Sequence, residues 1–236
     1  MSRAGDRPEQ LVLDLPTRPA LGRAAFFVAP ANRLALALVD SWPGWPGGRL
    51  AVTGPAGAGK THLAHVWAAR AGATILSLRD LAGIDLATLP ATAAVAVEDV
   101  DRLSALRRGR AAAEEVLFHL CNHLAAGGGS LMVSGRRPPA RWTVRLPDLA
   151  SRLAAATVAK LDAPDDALLA ALLVKHFADR QVVVPPGLID YLVPRIERSS
   201  AAAEAVVAAL DRAGLAGRRP LTPRLAAEVL QAERGR

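Results

Sequence analysis

A chain of 236 residues, 51% of them hydrophobic, can bury a sizeable core, which excludes a wholly disordered protein. The single cysteine, Cys121, excludes a disulfide framework and fits a reducing compartment. The net charge of +7 comes almost wholly from arginine, because Lys60, Lys160 and Lys175 are the lysines; it suits an acidic partner such as nucleic acid, or simply follows from a composition rich in Ala and Arg. Met1–Gln10 lacks the apolar stretch of a secretory signal, and no apolar run reaches the roughly 18 residues of a membrane span, so a cytoplasmic protein without membrane contact is expected.

Residues 1–20 stand apart from the rest. Met1–Arg7 is polar. Gln10-Leu11-Val12-Leu13-Asp14-Leu15 then places Leu11, Leu13 and Leu15 at period two, on one side of an extended chain. Such a stretch could pair as an edge strand. Pro16 and Pro19 follow at once, however, and no partner run lies at hairpin spacing, which favours a flexible linear docking peptide.

Phe26-Phe27-Val28 leads into a helix-period segment over Ala31–Val39, ended by the turn-rich Trp42–Gly48. The stretch that organises the chain follows. Gly54-Pro55-Ala56-Gly57-Ala58-Gly59-Lys60-Thr61 fits G-x-x-x-x-G-K-[ST], the phosphate-cradling P-loop, and His62 continues it into a helix. Arg49–Thr53 reads as the buried strand before the loop and His62–Arg70 as the helix after it, the context the motif requires. Its glycines let backbone N–H groups turn toward an anion, and the helix N-terminus adds partial positive charge. Lys60 is expected to reach the β- and γ-phosphates, and the Thr61 hydroxyl to sit on Mg²⁺. A nucleoside diphosphate or triphosphate with Mg²⁺ is therefore the expected ligand.

Further strands are predicted at Thr74–Leu78, Ala93–Val97, Ser130–Ser134 and Thr157–Leu161, with helices at Thr61–Arg70, Ala111–Ala126 and near Asp148–Leu153. Continuous apolar strands alternating with helices indicate a parallel sheet covered on both faces. The strand Ala93–Val97 ends in Glu98 and Asp99, which places two carboxylates at the sheet edge beside the P-loop. One would hold Mg²⁺ and its neighbour would orient the attacking water. His119 and His123 are four apart on a helix, but no third ligand accompanies them and no metal site is expected there. Arg107-Arg108-Gly109-Arg110 reads as a basic, solvated turn. From Asp162 onward the periodicity is helical, over 165–180, 187–196, 200–213 and 223–233, and Thr222-Pro223 is a helix start signal. The predicted fold is an α/β P-loop base over 21–161 with a five-stranded parallel sheet, followed by a small all-helical lid over 162–236.

These pieces resemble the AAA+ ATPases of the DnaA replication-initiator family, over about residues 21–215. Phe27-Val28 with Asn32-Arg33-Leu34-Ala35 resembles that family's box before the first strand, which implies that Val28 and Asn32 border the adenine. Gly59-Lys60-Thr61-His62-Leu63-Ala64-His65 resembles its P-loop helix start, and Arg136-Arg137-Pro138-Pro139 the segment after its sensor-I strand. Leu146-Pro147-Asp148-Leu149-Ala150-Ser151-Arg152-Leu153 resembles the box that carries the arginine finger, which implies that Arg152 is that finger. Gln10–Leu15 resembles the Q-L-x-L-x-L peptide by which bacterial replication proteins dock on the DNA sliding clamp, with Gln10, Leu11, Leu13 and Leu15 as the contacts. A chain ending at Arg236, with about 20 residues ahead of the base, is expected to lack the family's DNA-binding helix-turn-helix and long N-terminal domain. That combination resembles the Hda subfamily, the short DnaA homologues that act in regulatory inactivation of DnaA.

The resemblance implies catalysis in trans on ATP held by DnaA, with the sliding clamp as tether, DNA reached indirectly, and a homodimer as a further assembly. Three departures from the family pattern bear on the chain's own hydrolysis. Glu98 replaces the usual Mg²⁺ aspartate, Arg136 takes the sensor-I slot with Ser134 as a substitute, and Glu204 takes the sensor-II slot with Arg198 as a substitute. They favour a diphosphate-holding regulator with weak or no ATPase of its own. The rival readings are a self-contained AAA+ ATPase such as a helicase loader, a protein that grips DNA directly through the arginines of 102–110 and 136–145, and a small-molecule P-loop kinase.

Overall fold

We describe Arg23, residues 26–217 and residues 219–234 from a computed structural model of the chain. The docking peptide containing Gln10, Leu11, Leu13 and Leu15 lies outside the described residues. The apolar runs form five strands: β1 (Arg49–Thr53), β2 (Thr74–Leu76), β3 (Ala94–Val97), β4 (Ser130–Gly135) and β5 (Thr157–Lys160). They make one parallel sheet in the order β2-β3-β4-β1-β5. All six residues of β4 are buried, as expected of a central strand with apolar cover on both faces.

Period two sorts those strand residues between two cores. Ala51, Val95, Val97, Leu131 and Val133 face one layer, where α3 (Arg110–Gly127) and α4 (Pro147–Ala154) pack with Leu117, Leu120, Leu149 and Leu153. Leu50, Val52, Ala96, Met132 and Ala159 face the other, under α1 (Arg33–Asp40) and α2 (Lys60–Ala71), which contribute Leu36, Val39, Leu63 and Trp67. Trp67, 1% exposed between Trp42 and Trp45, anchors this second layer, and truncating such a side chain to alanine costs about 3–5 kcal/mol.

The remaining helices are α5 (Asp166–Asp179), α6 (Leu188–Leu192), α7 (Ser200–Gly217) and α8 (Pro223–Arg234). They enclose a separate core of Leu169, Leu173, Phe177, Leu188, Leu192, Val206, Val207 and Leu210. Their starts follow the capping chemistry of the sequence. The Asp165 carboxylate accepts from the Leu168 N–H at 2.8 Å, and the Thr222 hydroxyl accepts from the Leu225 N–H at 3.2 Å. The element types match the sequence reading, with edges moved by a residue or two, and two of the differences have a local cause. β2 stops at Leu76, because Ser77 and Asp80 begin a turn in which the Asp80 carboxylate accepts from the Ser77 N–H at 2.8 Å. The segment 187–196 is a short helix followed by a 3₁₀ turn, since Pro194 cannot continue the α-helical bonding.

Candidate nucleotide site

The P-loop leaves β1 at the carboxyl edge of the sheet, between β4 and β5, where open α/β sheets bind their ligands. Gly57 and Gly59 have φ of +69° and +96°, conformations that favour glycine. At Gly57 there is also no room: a Cβ would stand 2.5 Å from that of Ser199. The first turn of α7 rests here. The Ser200 N–H donates to the Gly57 carbonyl at 2.9 Å, and the Ser199 hydroxyl accepts from the Ala202 N–H at 3.0 Å. The loop and the helical bundle are thus joined by a backbone hydrogen bond.

Between them lies a cavity of about 390 Å³. Its floor is Ala56–His62, one end holds Asp99 and Arg136, another holds Phe26, Phe27 and Asn32, and α5 and α7 supply the opposite wall with Leu168, Leu172, Lys175, His176, Ser200 and Glu204. Lys60 is 8% exposed, and its ammonium donates to the Gly54 and Pro55 carbonyls at 2.9 and 2.7 Å, which draws the loop around the charge. Burial pushes its pKa down, while Asp99, Asp101 and Glu98 pull it up and Arg136 adds to the depression. The phosphate end therefore mixes both signs within reach of one lysine.

The acidic residues have distinct settings. Asp99 lines the cavity in a left-handed conformation (φ +55°), and its N–H donates to the Ser134 hydroxyl at 3.0 Å. Glu98 stands outside the lining, with its Oε1 buried and unpaired. Asp101, missed in the sequence reading, accepts from the Arg136 N–H at 2.8 Å through Oδ2, and its Oδ1 is also buried without a partner. Glu98 Oε1 and Asp101 Oδ1, which flank Asp99 in the chain, are buried acceptors without donors, the kind of oxygen that a hard cation takes, and Asp99 and Thr61 line the cavity itself. The site residues thus fit Mg²⁺ at Thr61, Asp99 and Glu98.

Other expected residues divide. Asn32 lines the cavity and also staples its own turn: its Oδ1 accepts from the Ala29 N–H at 2.9 Å and its Nδ2 donates to the Phe27 carbonyl at 2.8 Å. Val28 is 44% exposed and outside the lining, while Phe26 and Phe27 occupy that end. Gly54 and Pro55 sit behind the loop and touch the cavity only through Lys60. Ser134 is turned to the Asp99 backbone, and Arg136 lines the cavity in its place. Glu204 does line the cavity, but Arg198 does not substitute for it; that guanidinium is held by Asp166 at 2.7 Å. His119 lies 3.9 Å from Glu115 and His123 pairs with the Leu89 carbonyl at 2.6 Å, so they do not converge, and the described residues contain no cluster of three metal-ligating side chains.

Arg152 is absent from the cavity. On α4 its guanidinium lies over the Phe118 ring, 5.6 Å from the centroid, and its carbonyl accepts from Arg49 at 3.3 Å. His176 has no precursor in the sequence reading. It is 8% exposed, lines the cavity from α5, and keeps a buried Nε2 without a hydrogen-bond partner. Burial holds its pKa below the ordinary imidazole value, with Glu204 opposing that depression. Only the packing of α5 against α7 creates this site, so no local signal could have revealed it.

A P-loop on a five-stranded parallel sheet, with a helical bundle packed over it, defines the class: an α/β P-loop domain. No family model matches the chain. The chain is similar to the chromosomal replication initiator protein DnaA of Thermomicrobium roseum, with 28% identity over 233 residues, 87% of this chain and 48% of the relative. It spans about half the length of that curated relative. Among solved structures, domain III of Thermotoga maritima DnaA superposes with a TM-score of 0.76 at 18% identity, covering 92% of this chain and 98% of that one. DnaA of Aquifex aeolicus bound to AMPPCP gives 0.65 at 19% identity, covering 82% and 66%. The RuvB branch-migration motor of Thermotoga maritima gives 0.59 at 17%, covering 78% and 61%. The chain therefore carries the α/β fold of DnaA domain III, and its sequence is DnaA-like. Among the described residues no helix is long and apolar enough to cross a membrane.

Proposed function

We propose that the chain is a nucleotide-binding regulator of replication initiation, in which a base (21–161) and lid (162–236) hold ADP or ATP and Arg152 acts on ATP bound by DnaA. The observation that carries this reading is a division of labour: the P-loop cavity is complete without Arg152, and Arg152 stands outside it with no carboxylate paired to it among the described residues. Lys60 and the loop N–H groups from Gly57 to Thr61 would take the phosphates, and Phe26, Phe27, Leu168 and Leu172 would enclose the base. Thr61, Asp99 and Glu98 would hold Mg²⁺, whose charge neutralises the phosphates when bound. A guanidinium presented to a neighbour's γ-phosphate stabilises charge that develops in the transition state and raises kcat by about 10³–10⁵ in GTPase cases. Glu204 on the lid wall disfavours a third phosphate, so ADP should bind at least as tightly as ATP, and hydrolysis by the isolated chain should be slow.

Residues 10–15 would tether the protein to the sliding clamp, with Gln10 offering amide hydrogen bonds and the leucines filling an apolar pocket. A six-residue peptide that orders on docking gives about micromolar affinity, roughly −8 kcal/mol. Weak docking is enough, since tethering raises local concentration toward about the millimolar range. The test is single-turnover hydrolysis by ATP-bound DnaA with clamp loaded on DNA. The parent chain should accelerate it, Arg152→Ala should not, and Gln10→Ala should lose only the clamp-dependent part. Equal acceleration by Arg152→Ala would remove the trans mechanism. The structural likeness to RuvB keeps one other reading in play, a self-contained AAA+ motor, which fast turnover by the isolated chain would favour.

A further inference from the structure

The segment that carries Arg152 is held from below by a single face of α3. Arg110, Glu114 and Phe118 are spaced four apart on that helix, so they form one stripe on successive turns. Each grips a different part of the chain from Thr143 to Arg152. Arg110 Nη2 donates to the Thr143 carbonyl at 2.9 Å, and its Nε donates to Glu114 Oε1 at 2.7 Å. The other carboxylate oxygen of Glu114 accepts from the N–H groups of Arg145 and Leu146 at 2.8 and 3.1 Å. Phe118 lies under the Arg152 guanidinium.

This arrangement is unusual for a structural core. Glu114 is 1% exposed, and the Arg110 side chain 13%. Taking an ion pair out of water is costly, and an apolar pair of similar volume would hold the layers together as well or better. What an apolar pair cannot do is fix orientation. Pro147 opens α4 and has no N–H, so the Arg145 and Leu146 donors are the last ones ahead of the helix. Gripping both with one carboxylate sets the tilt and rotation of an eight-residue helix whose second turn bears Arg152. Burial alone would push the Glu114 carboxyl up; the hydrogen bonds from Arg110, Arg145 and Leu146 outweigh it and hold the carboxyl below its ordinary value, so the group is ionised at neutral pH. A cation over a ring face is held in place yet keeps its charge for another partner. Neither Arg152 nor any residue of the stripe lines the chain's own cavity.

We propose that the Arg110–Glu114–Phe118 stripe of α3 is a cradle that positions Arg152 for a phosphate bound by a neighbouring AAA+ subunit, with Glu114 and Phe118 as positioning residues. This rests on the role given to Arg152 above, and the experiment separates the two. Stimulated hydrolysis by ATP-bound DnaA is measured against concentration of the full chain for the parent, Arg152→Ala, Glu114→Gln and Phe118→Leu. In parallel, the side-chain Nε–H resonance of Arg152, assigned by its loss in Arg152→Ala, is followed by NMR. Both positioning variants should lower the maximal rate about tenfold or more while leaving the half-saturating concentration and nucleotide affinity unchanged. The Nε–H resonance should lose its ring-current shift in Phe118→Leu and move in Glu114→Gln. If Glu114→Gln does not fold, Phe118→Leu, at a half-buried position, decides alone. Loss of stimulation in Arg152→Ala with full stimulation by folded Glu114→Gln and Phe118→Leu overturns the cradle and spares the role of Arg152. Full stimulation by Arg152→Ala removes that role, and an Nε–H resonance indifferent to Phe118→Leu then overturns the cradle as well.

Discussion

The floor of the cavity comes from one unbroken stretch, Ala56–His62, whereas the wall above it is assembled from α5 and α7, which meet only in the folded chain. The floor presents backbone N–H groups and one buried lysine. The wall presents leucines, a neutral imidazole and a carboxylate. The floor's groups, fixed by the turn itself, suit any polyphosphate. Selectivity between ligands must therefore come from the wall, whose side chains stand on a bundle with its own core.

That dependence can be broken from a distance. Phe177 is fully buried in the bundle core, one residue beyond His176. Phe177→Ala should cost about 3–5 kcal/mol of the bundle's stability, read by urea denaturation. If wall and floor act together, nucleotide affinity should fall with it, although no contact to the cavity is removed. An unchanged affinity in a destabilised protein would show that the floor binds without its wall.

The second largest effect belongs to the floor. Lys60→Ala leaves the loop backbone in place and removes the charge that Asp99 and Asp101 face. ADP and ATP affinity should fall at least about tenfold, about 1.4 kcal/mol, in a titration with fluorescent nucleotide. Equal affinity for the variant would sink the P-loop assignment.

Floor and wall also differ in how far the sequence reveals them. The P-loop is local: its glycines, Lys60 and Thr61 are chemically informative because the turn and helix start lie within eight residues. The same holds for the strands, whose apolar runs match the sheet to within a residue or two, and for the Thr222-Pro223 start of α8. Glu98 and Asp99 are visible at a strand end, but which of them lines the cavity is settled by the left-handed turn at Asp99. Asp101 was within the same acidic run and could have been noticed. His176 could not, since nothing within α5 distinguishes it from a helix histidine. The Glu114 grip is equally silent, because its partners are backbone N–H groups about 30 residues away, and backbone donors leave no mark in the side-chain pattern.

A smaller effect sharpens the selectivity argument. Glu204 lines the wall, yet it is not among the charges that set the Lys60 pKa, where Asp99, Asp101, Arg136 and Glu98 appear. Glu204 is exposed, so its effect on a third phosphate is expected on the scale of an exposed charge pair, about 0.2–1 kcal/mol. Glu204→Gln should raise ATP affinity relative to ADP by roughly 1.4- to fivefold, measured by competition titration. A ratio that does not move would place the preference for the diphosphate, if one is found, at the phosphate end instead.

The smallest effect is a pH dependence that belongs to the wall alone. Burial depresses the His176 pKa; Glu204 and Asp179 raise it, and Lys175 and Arg180 lower it, leaving it below the ordinary imidazole value. Above about pH 6.5 the imidazole is neutral in both folded and unfolded chains and contributes no slope. As pH falls through that value the unfolded chain takes up the proton first, so the folded state loses stability on acidification. Melting temperature should thus decline between about pH 7 and pH 5.5, and His176→Leu should flatten part of that decline. The difference between parent and variant isolates His176 from the other histidines, which are present in both. Parallel profiles for the two proteins would mean that the imidazole is not held neutral by its burial. The wall would then have to be read as a solvated surface rather than a shaped, selective one.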